Sequence, residues 1–189
     1  MFLRLQLALL LLLPSSPGFA AGLDQVKVEA RRDGDAVLIE AVARVVADRA
    51  TAWEVLTGYD RYAEFIPDLT TSRILVRAGS IAIVEQKGEA GFFLFHFPME
   101  VTFSVTEEPP SAITSRAISG TFRELTGSYV LVEEGEVMRL NYSGRLVPNF
   151  RLPPLIGTAA VRAAIQKQFG ALVKEIQRRS ALRRELAPQ

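Results

Sequence analysis

The sequence predicts an α+β fold, a curved antiparallel sheet wrapped around one long C-terminal helix, with two short helices after the second strand. Three patterns carry that prediction. Residues 70 to 148 alternate apolar and polar positions in successive segments broken by turn residues, with nothing helical between them. Residues 158 to 186 recur instead at helical spacing. Ahead of both stands a hairpin signal followed by two short helical stretches. Consecutive strands without crossover helices form an antiparallel meander, and its apolar face must be covered by another element.

Each element has its own signal. Residues 24 to 33 alternate weakly and stop at Asp33-Gly34-Asp35, a strong hairpin sequence between alternating segments. The return strand, 36 to 47, places Val37, Ile39, Ala41, Ala43 and Val45 on one face. Asp48 is positioned to cap a helix that carries Ala52, Trp53, Val55 and Leu56 and stops at Gly58. A second short helix runs from Asp60, with Tyr62, Phe65 and Ile66 on one side, and ends at Pro67. Six strands then follow at 72–78, 81–89, 93–107, 112–119, 122–133 and 137–147. In the third of these the odd positions from Phe93 to Val105 are all large and apolar, which marks a strand with one buried face. A proline-rich bend, Pro148 to Pro154, leads into the long helix, predicted over Thr158 to Leu186. Its stripe is Val161, Ile165, Phe169, Leu172 and Ile176, and basic residues in its last turns complement the negative helix end. Gly170 inside it costs about 1 kcal/mol relative to alanine, for which a close backbone approach would account.

Composition removes much chemistry. The 189 residues are 49% hydrophobic and 23% charged, enough for one globular domain with a substantial core. With no cysteine and one histidine, His96, the chain has no disulfide, thiolate nucleophile or cysteine zinc site, and little scope for a metal or a histidine triad. A formal charge of +1 gives no reason to expect nucleic acid as a partner. No paired inward carboxylates, glycine-rich phosphate loop or metal-ligand spacing is seen, so no catalytic residue and no cofactor is expected.

The first twenty residues read differently. Arg4, an apolar run from Leu5 to Leu13, the breaker Pro14-Ser15-Ser16-Pro17 and small residues at Gly18 and Ala20 describe a secretory signal peptide. About nine apolar residues are too few to span a bilayer, which takes ~20. Cleavage after Ala20 would leave residues 21–189 as a periplasmic or secreted domain. Of the 22 basic residues it removes only Arg4, leaving 21 against 21 acidic.

Ala52-Trp53-Glu54-Val55-Leu56-Thr57, followed by Tyr59-Asp60-Arg61-Tyr62-Ala63-Glu64-Phe65-Ile66-Pro67, resembles the signature of the polyketide cyclase/dehydrase and coenzyme Q-binding START-like (SRPBCC) superfamily. Ser72-Arg73, Gln86-Lys87-Gly88, Leu140-Asn141-Tyr142 and the bend before the last helix match more loosely, so that the resemblance spans about residues 35 to 180. It implies the helix-grip fold. Related proteins bind ubiquinone, other lipids or steroids, or cyclise polyketides, and some bacterial relatives are linked to ribosomes. Export argues against a ribosomal role, so only the ligand class is borrowed.

Candidate ligand-binding residues follow from facing. Phe95, Phe97, Met99 and Phe103 line the sheet's inner face, and Val161, Ile165 and Phe169 oppose them from the helix. Trp53, Phe65 and Ile66 either close the cavity end nearest the short helices or simply anchor that corner. Tyr142 shares the parity of Met138, Leu140 and Leu146 and is placed to orient a ligand's polar head. Tyr129 joins it unless Gly127 introduces a bulge that turns its strand. His96 falls on the opposite, solvent-facing parity. Three functions are compatible with this pattern. The first is an exported binding or transport module for an apolar small molecule (lipid, quinone or isoprenoid), with transient membrane contact during exchange. The second is a cyclase or dehydratase using the same cavity. The third is a protein-interaction domain with a solid interior.

Overall fold

The computed structural model describes residues 26–92, 95–149 and 154–186, and of residues 90–92, 95–97 and 154–156 the backbone alone. The signal sequence expected over 1–20 lies outside the described residues. Two strands open the chain, β1 (Lys27–Asp33) and β2 (Ala36–Val45). The helix α1 (Arg49–Thr57), a 3-10 turn (Tyr59–Arg61) and α2 (Tyr62–Phe65) form a corner. The meander β3 (Leu69–Ala78), β4 (Ile81–Phe92), β5 (Phe95–Glu108), β6 (Ala112–Gly120), β7 (Phe122–Glu134) and β8 (Val137–Pro148) precedes α3 (Pro154–Leu186). The fold class is the expected one.

All neighbours in the single eight-stranded sheet run antiparallel, in the order β1-β2-β8-β7-β6-β5-β4-β3. The last strand thus returns to pair with β2, and the α1–α2 corner carries the chain from β2 to the opposite edge. The β1–β2 hairpin turns at Gly34, whose φ of 60° lies in the left-handed region that glycine enters without strain. β2 buries Val37, Ile39, Ala41, Ala43 and Val45, the face its alternation predicts.

Two features of the long helix differ from expectation. The long helix begins at Pro154 rather than Thr158. A proline in the first turn costs no hydrogen bond, because N–H groups there have no partner within the helix. Nothing lies within 4 Å of a Cβ built on Gly170, so no close approach explains that glycine.

α3 grips the sheet in two ways. Its C-terminal half buries Phe169, Leu172, Val173 and Ile176 against the core formed by Ile39, Val45, Val55, Leu56 and Leu140. Its flank covers the free edge of β1, where Arg162 Nε donates to the Val28 carbonyl at 3.1 Å and Gln166 Nε2 to that of Val26 at 3.0 Å.

α1 is tied to α3 by charge. Asp48 caps α1 by accepting from the Thr51 N–H at 2.7 Å and the Thr51 hydroxyl at 2.6 Å. Glu54 accepts from Arg179 at 3.1 Å and also from Arg183, which donates to the Thr51 hydroxyl at 2.8 Å. Glu175, in turn, accepts from Arg178 and Arg179 at 2.7 Å each. The basic residues of the last turns therefore do more than complement the helix end. Asp60 likewise reaches beyond its own helix, accepting from the Ile74 N–H of β3 at 2.7 Å, while Arg61 and Glu64 form a surface ion pair.

Candidate functional site

Between the concave face of the sheet and the N-terminal half of α3 lies a cavity of about 300 Å³. Its existence follows from side-chain size along α3. Deep in the core the helix presents Phe169, Leu172 and Ile176, but nearer its start the facing row carries Ala160, Val161, Ala164 and Ile165, which leave the sheet uncovered. The opposite wall is the inward row of β5, Met99, Val101, Phe103 and Val105, with Val84 of β4, Ile113 of β6, and Leu125 and Leu146 of β7 and β8.

The chain has four tyrosines, and all of them line this space: Tyr59, Tyr62, Tyr129 and Tyr142. Tyr129 and Tyr142 are directly paired across β7 and β8, with ring centroids 4.8 Å apart, and both stand 6.4 Å from the Phe169 ring. The β7 register runs unbroken through Gly127, so the bulge that would have turned Tyr129 away is absent. Tyr62 donates its hydroxyl to the Leu56 carbonyl at 2.6 Å, satisfying an acceptor near the end of α1. Burial raises the pKa of all four, Tyr142 to about 12, because the phenolate would lose its hydration. At neutral pH the cavity wall therefore carries uncharged phenols.

The charged residues of the described lining are Asp68 and Glu89. Beyond Tyr59, outside the lining, Arg77 holds both oxygens of the buried Glu107 carboxylate, at 3.0 and 3.1 Å, and sits 5.7 Å from the Tyr59 ring centroid. The Tyr59 hydroxyl lies near this carboxylate without a formed hydrogen bond, and the negative charge adds to the rise in its pKa. Asp68, Gln86, Glu89 and Gln168 make a polar mouth. There Lys167 Nζ of α3 binds both Asp68 oxygens at 2.8 Å, and Gln86 donates to the Ser72 hydroxyl at 3.3 Å.

Of the residues expected to meet at the site, the structure brings together Met99, Phe103, Tyr129, Tyr142, Val161, Ile165 and Phe169. Phe95 and Phe97 belong to β5, opposite Phe92 and Ala90, but their side chains, like that of His96, lie outside the described residues. Trp53, Phe65 and Ile66 do not line the cavity; they pack as partly buried side chains against the core. The corner turns Tyr59 and Tyr62 inward instead, and Phe65 meets Tyr62 edge-on at 5.7 Å from the outer side. Tyr59, Tyr62, Gln86 and Ser115 are cavity residues that facing alone did not single out. For Ser115 the signal was available, since it shares the parity of Ile113.

Among the described residues, three or more His, Cys, Asp or Glu side chains nowhere gather as a metal site would require. Beside Tyr142 stand the rings of Tyr129 and Phe169 and the backbone of Gly127 and Gly144.

The sequence matches the family described as polyketide cyclase / dehydrase and lipid transport over residues 45–173. No curated protein matches it. Its fold is similar to that of the Zhui aromatase/cyclase of Streptomyces sp. R1128, with a TM-score of 0.65 and 16% identity over 78% of this chain and 95% of that one. The STAR-related lipid transfer protein of Xanthomonas axonopodis is similar at a TM-score of 0.64 and 16% identity, covering 80% of this chain and 93% of that one. A START superfamily protein of Mycobacterium smegmatis follows at a TM-score of 0.61 and 15% identity, over 77% and 97%. With the family match extending over more than half of its length, and an apolar cavity held between sheet and long helix, this chain belongs to the polyketide cyclase/dehydrase and lipid transport family and is a START-like ligand-binding domain.

Proposed function

We propose that the protein is an exported carrier that holds a single apolar or amphipathic molecule, of the lipid, quinone or isoprenoid class, under the N-terminal half of α3. The observation that carries this reading is the cavity of about 300 Å³ walled by aliphatic and phenolic side chains. Cyclisation would need an acid or base to move protons within reach of the interior. The described lining supplies neutral tyrosines, and its carboxylates, Asp68 and Glu89, stand at the mouth, where Lys167 holds Asp68.

Size supports a ligand only partly enclosed. At ~30 Å³ per water-sized unit, the space holds roughly ten carbon atoms. Burying ten methylenes at about 0.8 kcal/mol each contributes ~8 kcal/mol before the cost of association. After an association cost of about 4 kcal/mol or more, the enclosed part alone gives millimolar capture at best, and a longer tail leaving through the mouth near Asp68 and Gln168 would add to it. Exchange at a membrane surface suits such a geometry. The leader-like segment before Ala21 supports release into the periplasm or medium.

The test is mass spectrometry of the protein purified without detergent from the exported fraction, intact and after organic extraction. A chain beginning at Ala21 with one stoichiometric apolar molecule, absent from folded Ile165→Glu, is the expected result. An empty protein that also takes up no apolar probe overturns the carrier reading, and a retained leader overturns export.

A further inference from the structure

The geometry points to a neutral hydrogen-bonding subsite on the cavity floor, formed by the hydroxyls of Tyr142 and Ser115 over Gly127, which takes a hydroxyl or ketone oxygen of the bound molecule. The inference rests on the carrier reading and narrows its ligand to a neutral, oxygen-bearing one.

Register builds the subsite. Ser115 of β6 pairs with Gly127 of β7, which pairs with Gly144 of β8, so the three form a row across the sheet. Tyr142 stands two residues before Gly144 on the same face, and its ring lies back along the sheet over both glycines. A Cβ built on Gly144 would be 2.6 Å from Tyr142 Oη. One built on Gly127 would be 3.0 Å from the same oxygen and 3.2 Å from Ser115 Oγ. The two hydroxyls thus converge on one spot, and only glycine backbone lies beneath it.

Their hydrogen-bonding capacities are complementary. Ser115 donates to the Gly127 carbonyl at 3.2 Å, which leaves its oxygen free to accept. The Tyr142 hydroxyl makes no hydrogen bond to the described residues and, with burial opposing ionisation, keeps its proton to donate. A ligand hydroxyl satisfies both; a ketone satisfies the tyrosine. No lysine or arginine lines the described cavity, so a carboxylate placed there would remain uncompensated.

The subsite is tested by titrating the folded protein with naphthalene, 2-naphthol and 2-naphthoate, three probes of one ring size that differ in a single group. We expect 2-naphthol to bind about tenfold more tightly than naphthalene, the size of one to two net hydrogen bonds, and 2-naphthoate to bind more weakly than 2-naphthol. Tyr142→Phe should bring 2-naphthol close to naphthalene, Ser115→Ala should reduce the preference, and naphthalene binding in each variant reports an intact cavity. Equal affinity of naphthalene and 2-naphthol for the unaltered protein overturns the subsite while leaving the carrier reading in place. Failure of all three probes to bind overturns both.

Discussion

The phenolic end of Tyr142 rests on Gly144, two residues further along β8, with no room between them for a side-chain carbon. This contact keeps the ring flat on the sheet and out of the space above it. A methyl group at position 144 would have to lift the ring, and the open direction is the cavity. Gly144→Ala should therefore fold with a modest loss of stability, about 1–2 kcal/mol, and take up naphthalene at least tenfold more weakly. Thermal denaturation and a probe titration on the same sample check both halves; unchanged affinity would show that the ring moves elsewhere.

Gly170 is the contrasting glycine. It lies inside α3 with nothing within 4 Å of the point where a side-chain methyl would stand, and without a left-handed backbone. Its cost is then that of a flexible residue in a helix interior, and Gly170→Ala should stabilise the protein by about 1 kcal/mol. For a domain of this size the melting temperature should rise by about 2–4 °C. A fall would mean that the methyl group meets a constraint absent from the geometry.

The parts of the site that are legible in the sequence are those built on long periodic elements. Alternation in β5 places Met99 and Phe103 on the inner face because a strand of that length repeats its facing several times. The same holds for Tyr142 on β8 and for Val161 and Ile165 on α3. The corner resists such reading because a 3-10 turn and a four-residue helix are too short to define a face, and hydrophobicity then favours Phe65 and Ile66 over the tyrosines; Trp53, on the nine-residue α1, packs against the core instead. In the folded corner Tyr62 satisfies its hydroxyl on the Leu56 carbonyl, which lets its ring face inward at little cost. Gly127 illustrates a second limit. A glycine in a strand signals either a bulge or a close approach, and only the position of the Tyr142 ring decides which. The cavity itself is legible as something the fold allows, while its volume depends on Ala160 and Ala164, whose small size reads locally as ordinary helix composition.

Glu175 makes acid sensitivity a property of the α1–α3 junction. Its hydrogen bonds to Arg178 and Arg179, with their charges, outweigh desolvation and hold its pKa at about 2, below the ordinary 4.5. A carboxyl whose folded pKa is depressed contributes stability above its unfolded pKa and loses that contribution as pH falls through the folded value. The melting temperature should therefore drop between pH 4.5 and pH 2. In Glu175→Gln, which leaves the buried Arg179 without a charged partner on its own helix, the protein should start less stable and show a shallower acid decline. Parallel profiles for the two proteins would place the acid sensitivity at other carboxylates.

Ala164 offers the sharpest separation between an open and a filled interior. It faces the cavity from α3, next to Ile165 and one turn from Ala160, so a leucine there adds three carbons to a space of roughly ten. In an open cavity those carbons replace unfilled volume and bury apolar surface, raising stability by about 1–2 kcal/mol. In a tightly packed core the same change forces side chains off their preferred rotamers and costs about 1–3 kcal/mol. The two cases predict opposite signs for the shift in melting temperature. Ala164→Leu should melt at or above the parent and lose at least tenfold in naphthalene affinity. That combination separates binding from folding, because a variant that gains stability while losing uptake has lost only the room for its ligand.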